Sequence, residues 1–396
     1  MSILEKSILN LKNPDYFFEK GMKILIIGGG VAGLAMANAF ASKSYRTMVL
    51  EKSKQSGEVD RGDVLHYSSM ELIKKWGIYE EFVKYHPKVF YDFKILNNKG
   101  KLVFNYNLKD IKPPTAFTVL KHHEIENFLE NSALRTGLVE VKRGVTCSEL
   151  ISENKKIVGV KTQNETYYAD LIVIANGSMS KFANQYFEKS FYFEYPMVFF
   201  NGCHRLVSEY DNCGYYVLGN KGNMIMVALP NNEMRIGIQF EKKKGFSKLE
   251  LTEIIKSRLA NFPVEKLEFL EGHTYSITSS ICKKWWVNGA VLVGDAAHTV
   301  HPAGGQGMNL AFQDADTFAE LFSTYFETEG IDKVCERYNK IRIKEVKKVM
   351  KKTHFLGKIG EIQNPLYCLL RQFFLQFSNN FLFLKRAIFK RIVNVE

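Results

Sequence analysis

Two glycine-rich segments from opposite ends of the chain hold the residue types that could do chemistry: Gly28-Gly29-Gly30-Val31-Ala32-Gly33, and Gly294-Asp295-Ala296-Ala297-His298 with Pro302-Ala303-Gly304-Gly305-Gln306-Gly307-Met308-Asn309. In a G-x-G-x-x-G loop the glycines allow a tight turn and let the backbone approach a pyrophosphate. The phosphate charge then meets backbone N–H groups and the positive end of a helix. Glu51 stands eighteen residues past Gly33, where a carboxylate can accept hydrogen bonds from ribose hydroxyls. In the second segment Asp295 can accept from a polyol. Gly304, Gly305 and Gly307 open the backbone to a flat ring, and a helix starting near Met308 would direct its positive end at that ring and favour its reduced, anionic form. The chemistry implied is redox chemistry on a bound dinucleotide.

The elements that must position these residues can be read around them. Lys23 to Ile27 is an uninterrupted apolar run, as a strand covered on both faces requires. A helix to about Ser42 and a strand Thr47–Leu50 ending in Glu51 complete a βαβ unit. Asp170 to Ala175 and Ala290 to Val293 have the same buried-strand character and are expected in the same sheet. Residues 89–108 and 191–240 alternate and carry turn signals, including Gly219-Asn220-Lys221-Gly222, so a second, antiparallel sheet is expected. Pro113-Pro114 would stiffen one return crossing. From about Gln313 onward the spacing is helical. The fold expected is α/β: a Rossmann-like domain from 22–88, 114–186 and 276–330, an inserted antiparallel substrate domain from 89–113 and 187–275, a basic helical region 331–396, and a leader 1–21 of unknown role.

Composition bounds the rest. An apolar fraction of 46% with 24% charge describes a folded globular chain. Charges between Glu5 and Lys20 interrupt any signal peptide, and six scattered cysteines without a C-x-x-C pair fit reduced thiols, so a cytoplasmic location and no metal are expected. The net charge of +12 is concentrated: residues 331–396 hold 15 Lys or Arg against 5 Asp or Glu, leaving 39 against 37 elsewhere. A basic stripe on nucleic acid is therefore not expected. The basic tail suits a solvated helix face or an anionic membrane surface.

In motif order, residues 22–330 resemble the FAD-dependent aromatic hydroxylases of the p-hydroxybenzoate hydroxylase type. The residues carrying the resemblance are GGGVAG with Glu51, Arg61-Gly62-Asp63-Val64-Leu65, Asp170 to Gly177, and GDAAH with PAGGQGMN. The resemblance implies FAD, reduction by NADPH or NADH, and hydroxylation of an aromatic or polyaromatic molecule by O2 through a C4a-hydroperoxyflavin. It implies cofactor contacts at Gly28, Gly30, Val31, Ala32, Gly33, Glu51, Lys52, Arg61, His122, Asp295, Pro302, Gly304, Gly305, Gly307, Met308 and Asn309. Two positions depart from the family: Asn176 precedes Gly177 where Asp is usual, and Lys121 or His122 stands where an Arg is usual.

The substrate region is aromatic, with Phe187, Phe191, Tyr192, Phe193, Tyr195, Phe199, Phe200, Tyr215 and Tyr216 able to stack on a planar ligand or simply to pack a sheet. His204, Arg235 and His273 are the polar candidates for deprotonating a phenol. Alternatives are an FAD-dependent halogenase, which usually has a W-x-W-x-I-P motif where this chain has only Trp76, Trp285 and Trp286, and a flavin-binding redox module without turnover. Near the C-terminus Phe374, Phe377, Phe381, Leu384 and Ile388 fall on one helical stripe, with Leu382, Phe383 and Phe389 outside it. This stripe suits packing on the body or, as an alternative, peripheral membrane contact, in a monomer or homodimer.

Overall fold

The computed structural model describes residues 21–56, 62–110, 115–219, 222–241, 247–263, 266 and 268–393, with backbone alone at 248, 269–271 and 390–393. Arg61, Pro113-Pro114, Asn220-Lys221 and nearly all of the leader lie outside these residues.

The apolar run opening the βαβ unit is the strand Ile24–Ile27, buried along its whole length. It lies between Leu171–Ile174 and Thr47–Glu51 in register, Ile24 opposite both Leu171 and Thr47. The six-stranded sheet runs 286–287, 290–292, 171–174, 24–27, 47–51, 139–143 and is parallel except at the short 286–287 edge. Full burial of the strands 24–27, 171–174 and 290–292 explains why they read as continuous apolar runs rather than as alternation. The carboxyl ends of its central strands deliver Gly28, Ala175 and Val293 to one edge. Gly28 N–H donates to Leu50 O at 2.9 Å, Ala175 N–H to Ile27 O at 2.8 Å and Val293 N–H to Ile174 O at 3.1 Å. That edge is where ligands of open α/β sheets bind.

The second sheet has eight strands in the order 298–299, 269–282, 189–205, 233–241, 224–229, 213–218, 92–97, 102–107. It is antiparallel except where Cys213–Leu218 runs parallel to Asp92–Asn97. One continuous strand, Phe269–Cys282, passes from this sheet back toward the Gly-Asp turn. A smaller sheet, 62–65, 117–121 and 88–90, bridges the two.

The helical C-terminal part differs from a single stripe. After Gln306–Glu329 and the 31-residue helix Ile331–Glu361, the chain breaks twice. Asn364 caps Pro365–Ser378, its side chain accepting from Leu366 N–H at 3.0 Å and Tyr367 N–H at 3.2 Å, and a second break precedes Leu382–Val393. The break at Asn379–Phe381 turns the two halves of the expected stripe in different directions. Phe374, Phe377 and Phe381 are exposed, whereas Phe389, placed by periodicity outside the stripe, is fully buried and stacked on Tyr106 with ring centroids 4.5 Å apart.

The last helix is thus held to the second sheet by an aromatic anchor. We expect Phe389→Ala to lower unfolding stability by about 3–5 kcal/mol, measured by denaturant titration; a change under about 1 kcal/mol would mean that this helix does not share the core.

Candidate active site

The glycine loop is built by close contacts. A Cβ at Gly33 would lie 1.9 Å from Gly28 O, and one at Gly28, whose φ is +109°, would lie 2.6 Å from Ala175 O. Only glycine lets the first strand, the Val31–Ala41 helix and the 171–174 strand meet so closely. That helix begins at Gly30 with no side-chain cap and no acidic residue in its first turn. The N–H groups of Val31, Ala32 and Gly33 therefore face outward without a side-chain acceptor. Glu51 closes the loop from the neighbouring strand, accepting from Gly29 N–H at 2.6 Å on one oxygen and from Ser53 N–H at 2.8 Å on the other. Lys52 beside it is exposed.

His122 stands at the start of the His122–Arg135 helix, with Nδ1 2.6 Å from Asp63 Oδ2 and Nε2 3.3 Å from Glu126 Oε1. Glu126 in turn approaches Gly30, its Oε1 3.6 Å from where a Cβ there would sit. The imidazole is thus committed to two carboxylates beside the glycine loop. The Asn176 Oδ1 on the adjoining loop is buried without a hydrogen-bond partner among the described residues.

The Gly-Asp segment is held from behind by a group that sequence reading did not single out. Asp314, fully buried, accepts from Gly294 N–H at 3.0 Å and lies 2.8 Å from His298 Nε2; its other oxygen accepts from Arg342 Nε at 2.7 Å. His298 and Arg342 hold the Asp314 carboxyl below its ordinary value despite burial. His298 is thereby a structural member of the turn. Asp295 is exposed, with Oδ1 3.8 Å from where a Cβ at Gly307 would sit. The Gln306–Glu329 helix starts after Gly305 at φ +60° with no side-chain cap. Asn309, also among the expected cofactor contacts, has its side chain engaged within the protein. Its side chain accepts from His66 N–H (2.8 Å) and Ser69 Oγ–H (2.7 Å) and donates to Val64 O (3.0 Å) and Gly305 O (2.8 Å). All four of its hydrogen-bonding positions are used inside the protein, so it clips the 302–305 loop to the 62–65 strand.

Two uncapped helix N-termini and a glycine cradle supply donors, and a carboxylate beside each with the Asn176 amide oxygen supplies acceptors, on one sheet edge; together they fit a phosphate-bearing dinucleotide with ribose and polyol hydroxyls.

Against the 302–305 loop lies a cavity of about 700 Å³. The second sheet supplies Phe199, Tyr216, Met224 and Val227, and the bridging strands supply Val64, Phe90 and Phe117. Of the expected aromatic residues only Phe199 and Tyr216 reach it. Phe187 packs in the nucleotide core, Phe200 and Tyr215 pack the sheet's other face, and Phe191 and Tyr192 are exposed. Phe193 and Tyr195 pack against His354. Of the polar candidates only Arg235 lines the cavity, fixed by Nε donation to Asn201 Oδ1 at 2.7 Å. His204 and His273 lie on strands of the sheet but not on the cavity wall. The opposite wall, formed by Lys352, Phe355, Leu356, Ile359, Leu370 and Phe374, comes from the C-terminal helices and was missed. Its only sequence signal is a pair of glycines, Gly357 and Gly360, one helical turn apart. The three tryptophans serve packing: Trp76 stacks on Phe312 and donates to Asp316 at 3.0 Å, Trp285 donates to Cys282 O at 3.1 Å, and Trp286 sits under Lys284.

A sequence model of the FAD binding domain family matches residues 21–353. A ubiquinone hydroxylase of Neisseria meningitidis is 23% identical, aligning over 95% of this chain and 86% of its own. A kynurenine 3-monooxygenase of Dictyostelium discoideum is 25% identical over 76% and 69%. The solved p-nitrophenol 4-monooxygenase of Pseudomonas putida superposes with a TM-score of 0.83 at 16% identity, covering 94% of this chain and 99% of the other. That last likeness establishes the fold.

One wall residue has a pH signature. Burial, with His354 and Lys358 nearby, pushes His301 down from 6.5 to about 3. Between those values the unfolded chain binds a proton that the folded one refuses. Stability therefore falls as pH drops from 6.5 toward 3, by up to about 1.4 kcal/mol per unit. His301→Gln should flatten this slope in denaturation curves between pH 4 and 6.5; an unchanged slope would place the acid sensitivity elsewhere.

Proposed function

The chain belongs to the FAD-binding-domain family of FAD-dependent aromatic monooxygenases, and on that footing we propose that it hydroxylates a lipophilic aromatic or polyaromatic small molecule held in the cavity described above. The observation carrying this reading is that the apolar cavity and the Pro302–Gly305 loop share one wall. The relative named a ubiquinone hydroxylase supports a lipophilic substrate. When bound, FAD reduced by NADPH or NADH supplies the activation of oxygen and its transfer. The chain's own residues bind and exclude water. In this proposal the turn through Gly28 and Gly30 presents the N–H groups of Val31, Ala32 and Gly33 to the pyrophosphate, Glu51 receives the ribose and Asp295 the ribitol, with Lys52 and His122 flanking. Pro302, Gly304, Gly305, Gly307 and Met308 present backbone to the ring, and Asn309 braces them. Phe90, Phe117 and Phe199 keep the reacting volume dry. Arg235, the only one of the three polar candidates on the wall, would orient a polar substituent. Residues 22–88, 114–186 and 276–330 serve FAD; 89–113 and 187–275 serve the substrate, joined by the wall from 352–375.

Reconstitution with FAD followed by NADPH or NADH oxidation, oxygen uptake and product mass on a panel of arenes tests this. We expect aromatic substrate to stimulate turnover with gain of one oxygen atom, and Glu51→Ala to weaken FAD binding roughly 10-fold or more. Bound FAD that no reductant reduces would favour the redox module without turnover.

Membrane contact belongs to the same proposal. The Pro365–Ser378 helix is inverted relative to an ordinary surface helix: Leu366, Leu369, Phe373 and Phe377 face solvent, with Phe373 66% exposed, while Cys368, Arg371 and Ser378 are buried. Phe355 continues this face, and Lys348 and Lys351 lie within two turns of it on the Ile331–Glu361 helix, both exposed. An apolar stripe beside lysines is complementary to a bilayer bearing anionic headgroups. Among the described residues no helix is long and apolar enough to cross a membrane. We expect the full chain to co-sediment with phosphatidylglycerol-containing vesicles and Leu369→Asp with Phe373→Asp to lower the bound fraction about 10-fold or more. Undiminished binding, or conversion of a dimer to monomer by the pair, would refute lipid as the occupant.

A further inference from the structure

The inner part of the cavity wall carries buried polar atoms that the hydroxylation reading leaves unused. Arg371 projects from the buried side of the Pro365–Ser378 helix and is only 9% exposed. Its Nη1 donates to Ile359 O at 3.0 Å and its Nη2 reaches Gly219 O at 3.5 Å, while among the described residues Nε, which is buried, has no hydrogen-bond partner. Among the described residues no carboxylate pairs with it. A buried guanidinium held, among the described residues, by carbonyls alone is complementary to an anion.

Other orphan groups gather around the same turn of the Ile331–Glu361 helix. Gln239, 2% exposed, accepts from Asn223 Nδ2 at 3.4 Å, and its own Nε2 is buried without an acceptor among the described residues. His301 accepts from Ala303 N–H through Nδ1 at 3.1 Å, which leaves the proton of the neutral ring on Nε2, also buried and unpartnered. All three residues line the cavity. Room for them comes from the two helix glycines: a Cβ at Gly357 would lie 2.6 Å from the His301 ring, and one at Gly360 2.0 Å from Asn223 Nδ2. The half-buried Tyr216 also lines this wall, and its phenol, pushed up to about 12 by burial, feels the Arg371 charge.

We propose that this part of the cavity is a binding site for a carboxylate carried by the aromatic substrate, with Arg371 and Gln239 as donors and His301 as a third donor on the side toward the 302–305 loop. This deepens, and rests on, the reading of the cavity as the substrate site. A carboxylate only accepts hydrogen bonds and brings the charge that Arg371 lacks. A ketone or quinone oxygen would satisfy the donors but leave the guanidinium unbalanced. Apart from His66, Asn223, Arg235 and Lys352 the rest of the wall is largely apolar, so the substrate class is an aromatic acid with an extended hydrocarbon body.

The test uses the FAD-loaded full chain and paired probes: benzoate, 2-naphthoate, biphenyl-4-carboxylate and anthracene-2-carboxylate, each against its primary carboxamide. Binding is read by equilibrium dialysis and by the shift in thermal midpoint at pH 7.5. At least one acid should bind 10-fold or more tightly than its amide. Arg371→Gln should erase that preference by weakening acid binding at least 10-fold more than amide binding, and Arg371→Lys should restore part of it. Absence of any acid preference in the unmodified protein, or its survival in Arg371→Gln, overturns the assignment; the first comparison needs no variant to fold. Oxygen uptake and product mass are recorded separately. Acid-selective binding without hydroxylation of any arene would refute the hydroxylase reading and leave the carboxylate site standing, whereas hydroxylation of neutral arenes without acid preference would do the reverse.

Discussion

The buried carboxylate of Asp314 is the constraint on which the rest of the architecture turns. It sits on the Gln306–Glu329 helix and gathers donors from two other parts of the chain: Gly294 N–H with the His298 ring from the Gly-Asp turn, and the Arg342 guanidinium from the Ile331–Glu361 helix. A charge taken this far from water persists only when fully partnered. The three elements must therefore arrive together, and their arrival sets the orientation of both helices. The N-terminus of the first points toward the Pro302–Gly305 loop, and the far end of the second closes the cavity.

Around that clamp the cavity is assembled from pieces remote in sequence. Val64 and Phe117 come from the bridging strands, Phe199 and Met224 from the second sheet, and Ile359 and Phe374 from the C-terminal helices. The helices do more than cap the body. Phe389 anchors the last of them into the aromatic cluster of Phe93, Tyr106 and Phe117. With that anchor in place, the helix before it turns its apolar stripe outward and its Arg371 inward. The same helix thus forms the inner wall of the cavity and an outward apolar face, and residues such as Leu370 and Phe374 belong to both.

The glycine loop with Glu51 and the Gly-Asp turn were legible because their requirements are local. A Cβ at Gly28 or Gly33 collides whatever the rest of the molecule does, and continuous Ile, Leu and Val marks a strand covered on both faces. Alternation and turn residues likewise announced the second sheet. The identity of the cavity wall was not legible. Phe199 and Phe200 are neighbours on one strand, yet one lines the cavity and the other packs the opposite face, a difference set by strand register alone.

By itself, then, the sequence determined a dinucleotide-binding α/β scaffold, an antiparallel partner sheet and the loops suited to FAD, since each rests on backbone geometry and on periodicity within a few residues. Tertiary structure alone decided that His122 joins Asp63 to Glu126, that Asn309 is a brace, that His204 and His273 stay off the wall, and that Arg371 turns inward. These outcomes depend on which chain segments meet. Contacts such as Asp314 with Arg342 or Phe389 with Tyr106 leave no local pattern, because the free energy that selects them exists only once distant segments have excluded water from between them.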